Sequence, residues 1–171
     1  AEGLTEQDVK IAGYVNDQGK PSVVVMNKWD LVEKDTYTVE KFEKKLREDL
    51  KFMDYFKSVY ISAVTGKRAE NILPLCRKVL ANSRRRITTG LLNEVLQDAI
   101  RISEPPSRLG RKLKILYITE ASVSPPTFVI KVNDPELMHF SYKRYLENAL
   151  RRSFDFEGTP IRLIVRGGNE E

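Results

Sequence analysis

The sequence predicts two mixed α/β units in tandem: a parallel-sheet α/β segment over residues 1–83, followed by a small α+β sandwich over 84–171. Three observations carry that reading. Val23-Val24-Val25-Met26 is a short apolar run without alternation, and Val59-Tyr60-Ile61-Ser62-Ala63 follows with a helical pattern between them. Such runs, covered on both faces, mark neighbouring strands of a parallel sheet. From Thr88 the order changes to helix, strand, strand, helix, strand, which builds a three-stranded sheet with helices on one face. Ser83-Arg84-Arg85-Arg86 breaks the apolar pattern between the two and serves as the boundary, readable as an RNA contact or as a solvated linker.

Taken in order, Thr5 caps a first helix with acidic residues in its first turn and an apolar face of Val9, Ile11, Ala12 and Val15. Gly19-Lys20-Pro21 ends it and leads into the first strand. Thr38 to Phe52 places Val39, Phe42, Leu46 and Leu50 near helical spacing, with Lys and Glu on the other face. A helix over 71–82 turns Ile72, Leu75, Cys76, Val79 and Leu80 inward. In the second unit Thr88-Thr89 precede a helix striped by Leu92, Val95, Leu96, Ala99 and Ile100, and Pro105-Pro106 stop it. Leu113, Ile115 and Tyr117 share one face of the next strand. Phe128, Ile130 and Val132 do so in the second, and Ile161, Leu163 and Val165 in the last. Asp134-Pro135-Glu136 is a helix-start signal ahead of a helix over 141–154, whose Tyr145, Leu146, Ala149 and Leu150 face inward.

Composition excludes several classes. With 171 residues, 41% hydrophobic and 31% charged, the chain has a globular composition, and no stretch approaches a membrane span or a secretory signal. One Cys and one His give neither a disulfide framework nor a metal-ligand spacing. The net charge is +5, with 14 Lys and Arg against 13 Asp and Glu over 1–83, and 15 against 11 over 84–171. The excess therefore lies in the second half. Its candidate contacts to an RNA backbone are Arg108, Arg111, Lys112, Lys114, Lys143, Arg144, Arg151 and Arg152, a set that would bind in a sequence-tolerant, salt-sensitive way.

The polar loop after the first strand, Asn27-Lys28-Trp29-Asp30, carries the chemistry. An ionised Asp accepts two parallel hydrogen bonds, and guanine offers a ring N–H beside an exocyclic amino group, a pair that adenine lacks. Asn can bond the far side of the purine through its amide, and the Lys stem can lie along the base. A wrong base would leave the Asp unpaired in a partly dry pocket, which makes such a site selective. The alternative is a polar strand-to-helix turn without a ligand.

Strand, polar loop, helix and a second strand ending in Ser62-Ala63 resemble the base-recognition half of a GTPase domain, a Rossmann-like P-loop fold. In that resemblance Asn27, Lys28 and Asp30 are the guanine-specificity motif, the Ala63 N–H bonds the guanine oxygen, and Ser62 steadies the Asp. The second unit resembles a KH domain, with one departure: no two of the nine glycines are three apart, so the G-x-x-G clamp is missing. Taken together, Glu-Gly-Leu-Thr-Glu-Gln-Asp at 2–8, Asn-Lys-Trp-Asp-Leu-Val at 27–32, Leu-Asn-Glu-Val-Leu at 92–96, Pro-Pro-Thr-Phe-Val at 125–129, Asn-Asp-Pro-Glu-Leu at 133–137, the ten residues from His139 to Asn148 and Phe-Glu-Gly-Thr-Pro-Ile-Arg-Leu at 156–163 are similar, nearly word for word, to the Der (EngA) family.

That resemblance implies a cytoplasmic bacterial GTPase with two GTPase domains and a C-terminal KH-like domain, acting in assembly of the large ribosomal subunit. This chain would correspond to the back half of the second GTPase domain plus the KH-like domain. Its partners would be the large subunit and its rRNA and the upstream GTPase domains, with no membrane. GTP or GDP with Mg2+ would belong to the longer protein. The Gly66-Lys67 pair lacks the preceding glycine of a phosphate cradle, and no D-x-x-G of a switch region accompanies the loop, so no catalytic residue is assigned and these 171 residues are expected not to hydrolyse GTP. Base recognition alone, with about two or three charge-assisted bonds of roughly 1.5–3 kcal/mol each, would give only about millimolar affinity. A second reading is a non-enzymatic module whose KH-like surface binds its own GTPase domains or another protein.

Overall fold

The computed structural model describes residues 3–33, 35–108 and 110–168, with Arg108 by its backbone alone. The chain forms two compact units. One runs to Ser83 and includes Glu157–Pro160, and the other takes Arg84–Phe156 and continues from Ile161. Both mix α and β. Among the described residues no helix is long and apolar enough to cross a membrane.

The first unit contains α1 (Glu6–Asp17), β1 (Val23–Met26), α2 (Thr38–Asp49), β2 (Lys57–Tyr60) and α3 (Ile72–Arg84). Thr5 starts α1 through a reciprocal cap: its hydroxyl accepts from Asp8 N at 3.2 Å, and the Asp8 carboxylate accepts from Thr5 N at 2.9 Å. β1 and β2 pair in parallel, Val23 opposite Lys57 and Met26 opposite Tyr60. Leu46, Leu50, Met53 and Phe56 form the core, flanked by Leu4, Val9, Ala12, Val24 and Met26.

Three expectations are corrected in this unit. β1 is covered on one face only, since Val24 and Met26 enter the core while Val25 is 39% exposed. Ile11 and Val39 face solvent, which narrows the apolar stripes of α1 and α2. Cys76 is exposed, as is Leu80, because α3 instead turns Val79, Asn82 and Ser83 inward. Polar Asn82 belongs inside because its Nδ2 donates to Glu157 O at 3.1 Å, while Thr159 Oγ1 donates to Val79 O at 3.2 Å. Residues 157–160 thus supply the partners that make this face of α3 buried.

The second unit contains α4 (Thr89–Ile102), the short hairpin of β3 (Ser107–Arg108) and β4 (Arg111–Lys112), then β5 (Ile115–Ser122), β6 (Thr127–Val132), α5 (Phe140–Ser153) and β7 (Arg162–Gly167). The sheet order is β5-β6-β7, with β5 and β6 antiparallel and β6 and β7 parallel. Leu92 of α4 and Leu146 of α5 pack with Ile118, Phe128, Ile130 and Val132 in one apolar cluster. Tyr142 and Tyr145 of α5 donate to Ser103 O at 2.8 Å and Ala99 O at 2.7 Å, both at the C-terminus of α4, where Ala99 O also accepts from Ser103 N at 3.0 Å. The β3–β4 hairpin was not foreseen. Nor was the facing of β5, where the register steps from Ile115 opposite Val132 to Tyr117 opposite Lys131 and leaves Leu116 as an extra residue. That step reverses alternation, so Ile118 is fully buried and Tyr117, expected inward, is 44% exposed.

Gly158 tests the packing of residues 157–160. Its φ is +74°, and a Cβ there would overlap the Val79 side chain at Cγ1 and Cγ2. Gly158→Ala is expected to cost about 2–4 kcal/mol in urea unfolding followed by fluorescence of Trp29, the sole tryptophan, from overpacking plus left-handed strain. Adding Val79→Ala should recover part of that relative to the Val79→Ala single variant.

Candidate functional site

Parallel pairing carries on beyond β1 and β2. Ile61 N–H donates to Met26 O at 2.9 Å, and Trp29 N–H donates to Ile61 O at 2.9 Å. These two bonds bring the loop after β1 against the loop after β2, at the carboxyl ends of the strands where open α/β sheets bind ligands. Asn27 Oδ1 then accepts from Ala63 N at 3.0 Å and from Lys28 N at 2.7 Å, so one side-chain oxygen ties both loops. Lys28 sits in the left-handed region (φ 59°, ψ 33°), an uncommon conformation for a residue with a Cβ, and its side chain is exposed.

The second loop closes on itself. Ser62 N donates to Lys67 O at 3.1 Å, and the buried Ser62 hydroxyl accepts from Thr65 N at 3.3 Å. Gly66 at φ +74° and Arg68 at φ +63° turn the chain back. Asp30 and Ser62 line one cavity of about 480 Å³ together with Thr65, Lys67 and Arg68, floored by Trp29 and Tyr60. Asn27 and Lys28 line the other side of the loop, at the mouth of a cavity of about 660 Å³ between α1 and β1.

All five residues assigned to guanine recognition therefore lie on these two adjoining loops. What the sequence reading missed is the support beneath them. Trp29 is buried, edge-on to Phe42 (centroids 5.1 Å) and against Tyr60 (4.5 Å). Glu43, one residue on from Phe42, accepts from Ser58 Oγ at 2.6 Å and Tyr60 Oη at 2.9 Å, and pairs with Arg47 at 2.7 Å. Burial pushes the Glu43 carboxyl up, but the hydrogen bonds from Ser58 and Tyr60 and the Arg47 charge outweigh it and hold the group below its ordinary 4.5. Burial and the neighbouring Glu43 push the Tyr60 hydroxyl up, so it remains a donor. A signal was available in the sequence: a lone Trp inside a polar loop needs an apolar seat, and Phe42 and Tyr60 stood at helical and strand positions to provide it.

The basic residues of the second unit are scattered. Arg111 pairs with Asp134 at 2.6 Å, Lys112 with Glu104 at 2.7 Å, and Arg151 with Glu147 at 3.5 Å. Lys114, Lys143, Arg144 and Arg152 carry no ion pair among the described residues, and the Arg108 side chain lies outside them. Asp155-Phe156-Glu157-Gly158 fits D-x-x-G spacing, but Phe156 is a core residue and Glu157 pairs with Lys57 and Lys78.

Residues 86–166 match the family description of the KH-domain-like C-terminal domain of EngA bacterial GTPase enzymes. The second unit is that KH-like domain. Over its length the chain is 54% identical to GTPase Der of Halothermothrix orenii, covering 95% of this chain and 37% of the relative. It is 52% identical to GTPase Der of Acetivibrio thermocellus (99% and 39%) and 54% identical to that of Desulfitobacterium hafniense DCB-2 (99% and 38%). The chain is thus similar over nearly its whole length to members of the Der (EngA) family, and it spans under two-fifths of the length of these relatives.

The Glu43 network predicts a pH dependence. A carboxyl held below its ordinary value stabilises the fold above that value, and the contribution is lost as pH falls through the lowered one. The stability difference between the unaltered chain and Glu43→Gln, read by Trp29 fluorescence in urea, should be largest near neutral pH and shrink below 4.5. A difference unchanged down to about pH 3 would contradict the network.

Proposed function

We propose that the first unit is the base-recognition part of a Rossmann-like GTPase domain, selecting guanine, and that the KH-like unit docks on rRNA of the large ribosomal subunit during its assembly. The observation that carries the first half is the joining of the Asn27 side chain to the Ala63 N–H, with Asp30 on the same loop. Asp30 supplies the paired acceptor for the guanine ring N–H and amino group, and the Lys28 stem covers the base. The Ala63 N–H, now given to Asn27, is the donor that a guanine oxygen would share. These residues fit the base and not its phosphates or Mg2+. In the longer protein GTP would supply the hydrolysable γ-phosphate, while this chain's part is to hold and orient the purine. The shared name of the relatives, GTPase Der, supports the reading. Docking partners would be rRNA and the family's GTPase domains, in a cytoplasmic protein.

Asp30→Asn tests the assignment without needing tight binding. Xanthine carries an acceptor where guanine carries its amino group, and Asn can give one donor and one acceptor in place of the two acceptors of Asp. In NMR titrations of the chain at millimolar nucleotide, the Ala63 amide should shift with GDP and not with ADP. Asp30→Asn should weaken the GDP response about tenfold or more and respond instead to xanthosine diphosphate. Equal responses to GDP and ADP, or an unchanged GDP response in the variant, would sink it.

A further inference from the structure

We infer that Arg84, Arg85 and Arg86, the run that leads from α3 to α4, grip the phosphate backbone of RNA. This inference rests on the reading of the KH-like unit as an RNA-docking unit and assigns the contact to residues outside the eight basic ones read from the sequence.

All three arginines are exposed and belong to the second unit. Among the described residues, none of them takes an ion pair or a side-chain hydrogen bond. A carboxylate nevertheless stands at the end of the run. Glu120 Oε2 accepts from the N–H of Ile87, the residue after Arg86, at 2.8 Å, while Glu120 Oε1 is buried and has no partner among the described residues. The guanidinium groups therefore turn to water rather than to the acid beside them.

A solvated linker would be loose, and this stretch is tied down. α3 ends with Asn82 and Ser83 buried, the Ser83 hydroxyl donating to Leu80 O at 2.8 Å. Ile87 enters the apolar cluster of the second unit, and Thr88 then caps α4. Each arginine thus lies within two residues of a buried one, Ser83 or Ile87. Less backbone entropy is left to lose on binding than in a free tail.

The side-chain chemistry selects the occupant. Three positive charges at consecutive positions suit a polyanion. An Arg presents a planar fork that matches two phosphate oxygens at once, whereas a Lys offers a point charge. A run made of Arg alone therefore favours phosphodiester groups held at close quarters over a diffuse negative surface. Arg84 also suits the C-terminal end of α3, where helix carbonyls attract a cation, but Arg85 and Arg86 stand outside any helix and have no such role.

The test is fluorescence anisotropy of a labelled RNA stem-loop with this chain, titrated at several salt concentrations. Arg84→Gln, Arg85→Gln and Arg86→Gln together should weaken binding about 100-fold at roughly 0.1 M salt and lower the slope of log affinity against log salt by about 2 to 3, since each phosphate contact contributes roughly 0.7–0.9. Arg84→Lys, Arg85→Lys and Arg86→Lys together should keep the slope and lose part of the affinity. Arg101→Gln, on α4 and paired with Asp98 at 3.0 Å, should change either little. Circular dichroism and thermal unfolding verify that each variant is folded. Binding that ignores the triple Gln variant but falls with Arg144→Gln and Arg152→Gln would overturn this contact while leaving RNA docking intact. A chain that binds no RNA at all would overturn both. Equal loss in the Lys and Gln variants would mean that charge is not what the run supplies. Tighter binding to phosphatidylserine vesicles than to RNA, lost with the same three substitutions, would move the contact to a lipid surface and overturn it as well.

Discussion

Hydrogen bonding between β1 and β2 does not stop where the strands end. Met26 O, Ile61 N–H, Ile61 O and Trp29 N–H continue the parallel ladder one step further, and everything proposed for the first unit depends on that step. It fixes which residue of one loop meets which residue of the other. Asn27 Oδ1 can reach Ala63 N at 3.0 Å only because the two chains are already in register. Trp29 seals the arrangement from below, its ring enclosed by Phe42 and Tyr60 while its backbone N–H serves Ile61. Glu43 then holds Tyr60 and Ser58 from α2, so a charged network and an aromatic seat support a polar loop whose Asn27, Lys28 and Asp30 stay exposed. Functional loops positioned by rigid elements are the common solution to that conflict.

Much of this was legible in sequence because it depends on near neighbours. Thr5 with Asp8, and Thr88 ahead of Leu91, announce helix starts through local capping chemistry. Phe128, Ile130 and Val132 alternate inward as their period requires. Asn27, Lys28 and Asp30 declare their chemistry by residue type, and Ser62-Ala63 by following the second apolar run. What was not legible depends on partners distant in the chain. Asn82 is buried because Glu157 lies 75 residues away in sequence and offers a carbonyl, and that partner displaces Cys76 and Leu80 to the surface. Tyr117 faces out because one extra residue in β5 reverses the alternation, and no local pattern signals it. Arg111 and Lys112 looked like free cations until Asp134 and Glu104 were found beside them.

The two units treat their exposed sheet surfaces differently. In the first, Val25 leaves an apolar face uncovered beside a polar loop, whereas in the second the open face carries Lys131, Arg162 and Arg166 around Tyr117. An apolar face asks for burial, whereas charged side chains keep a sheet face in water.

Amide hydrogen exchange at Ala63, comparing the unaltered chain with Asn27→Ala, tests the central claim most directly. If the Asn27 side chain joins the two loops, the Ala63 amide is protected and its exchange speeds up about tenfold or more in the variant, while the Ile61 amide, bonded to Met26 O, is unchanged. An Ala63 amide that exchanges at the same rate in both proteins would contradict the claim that the two loops form one site.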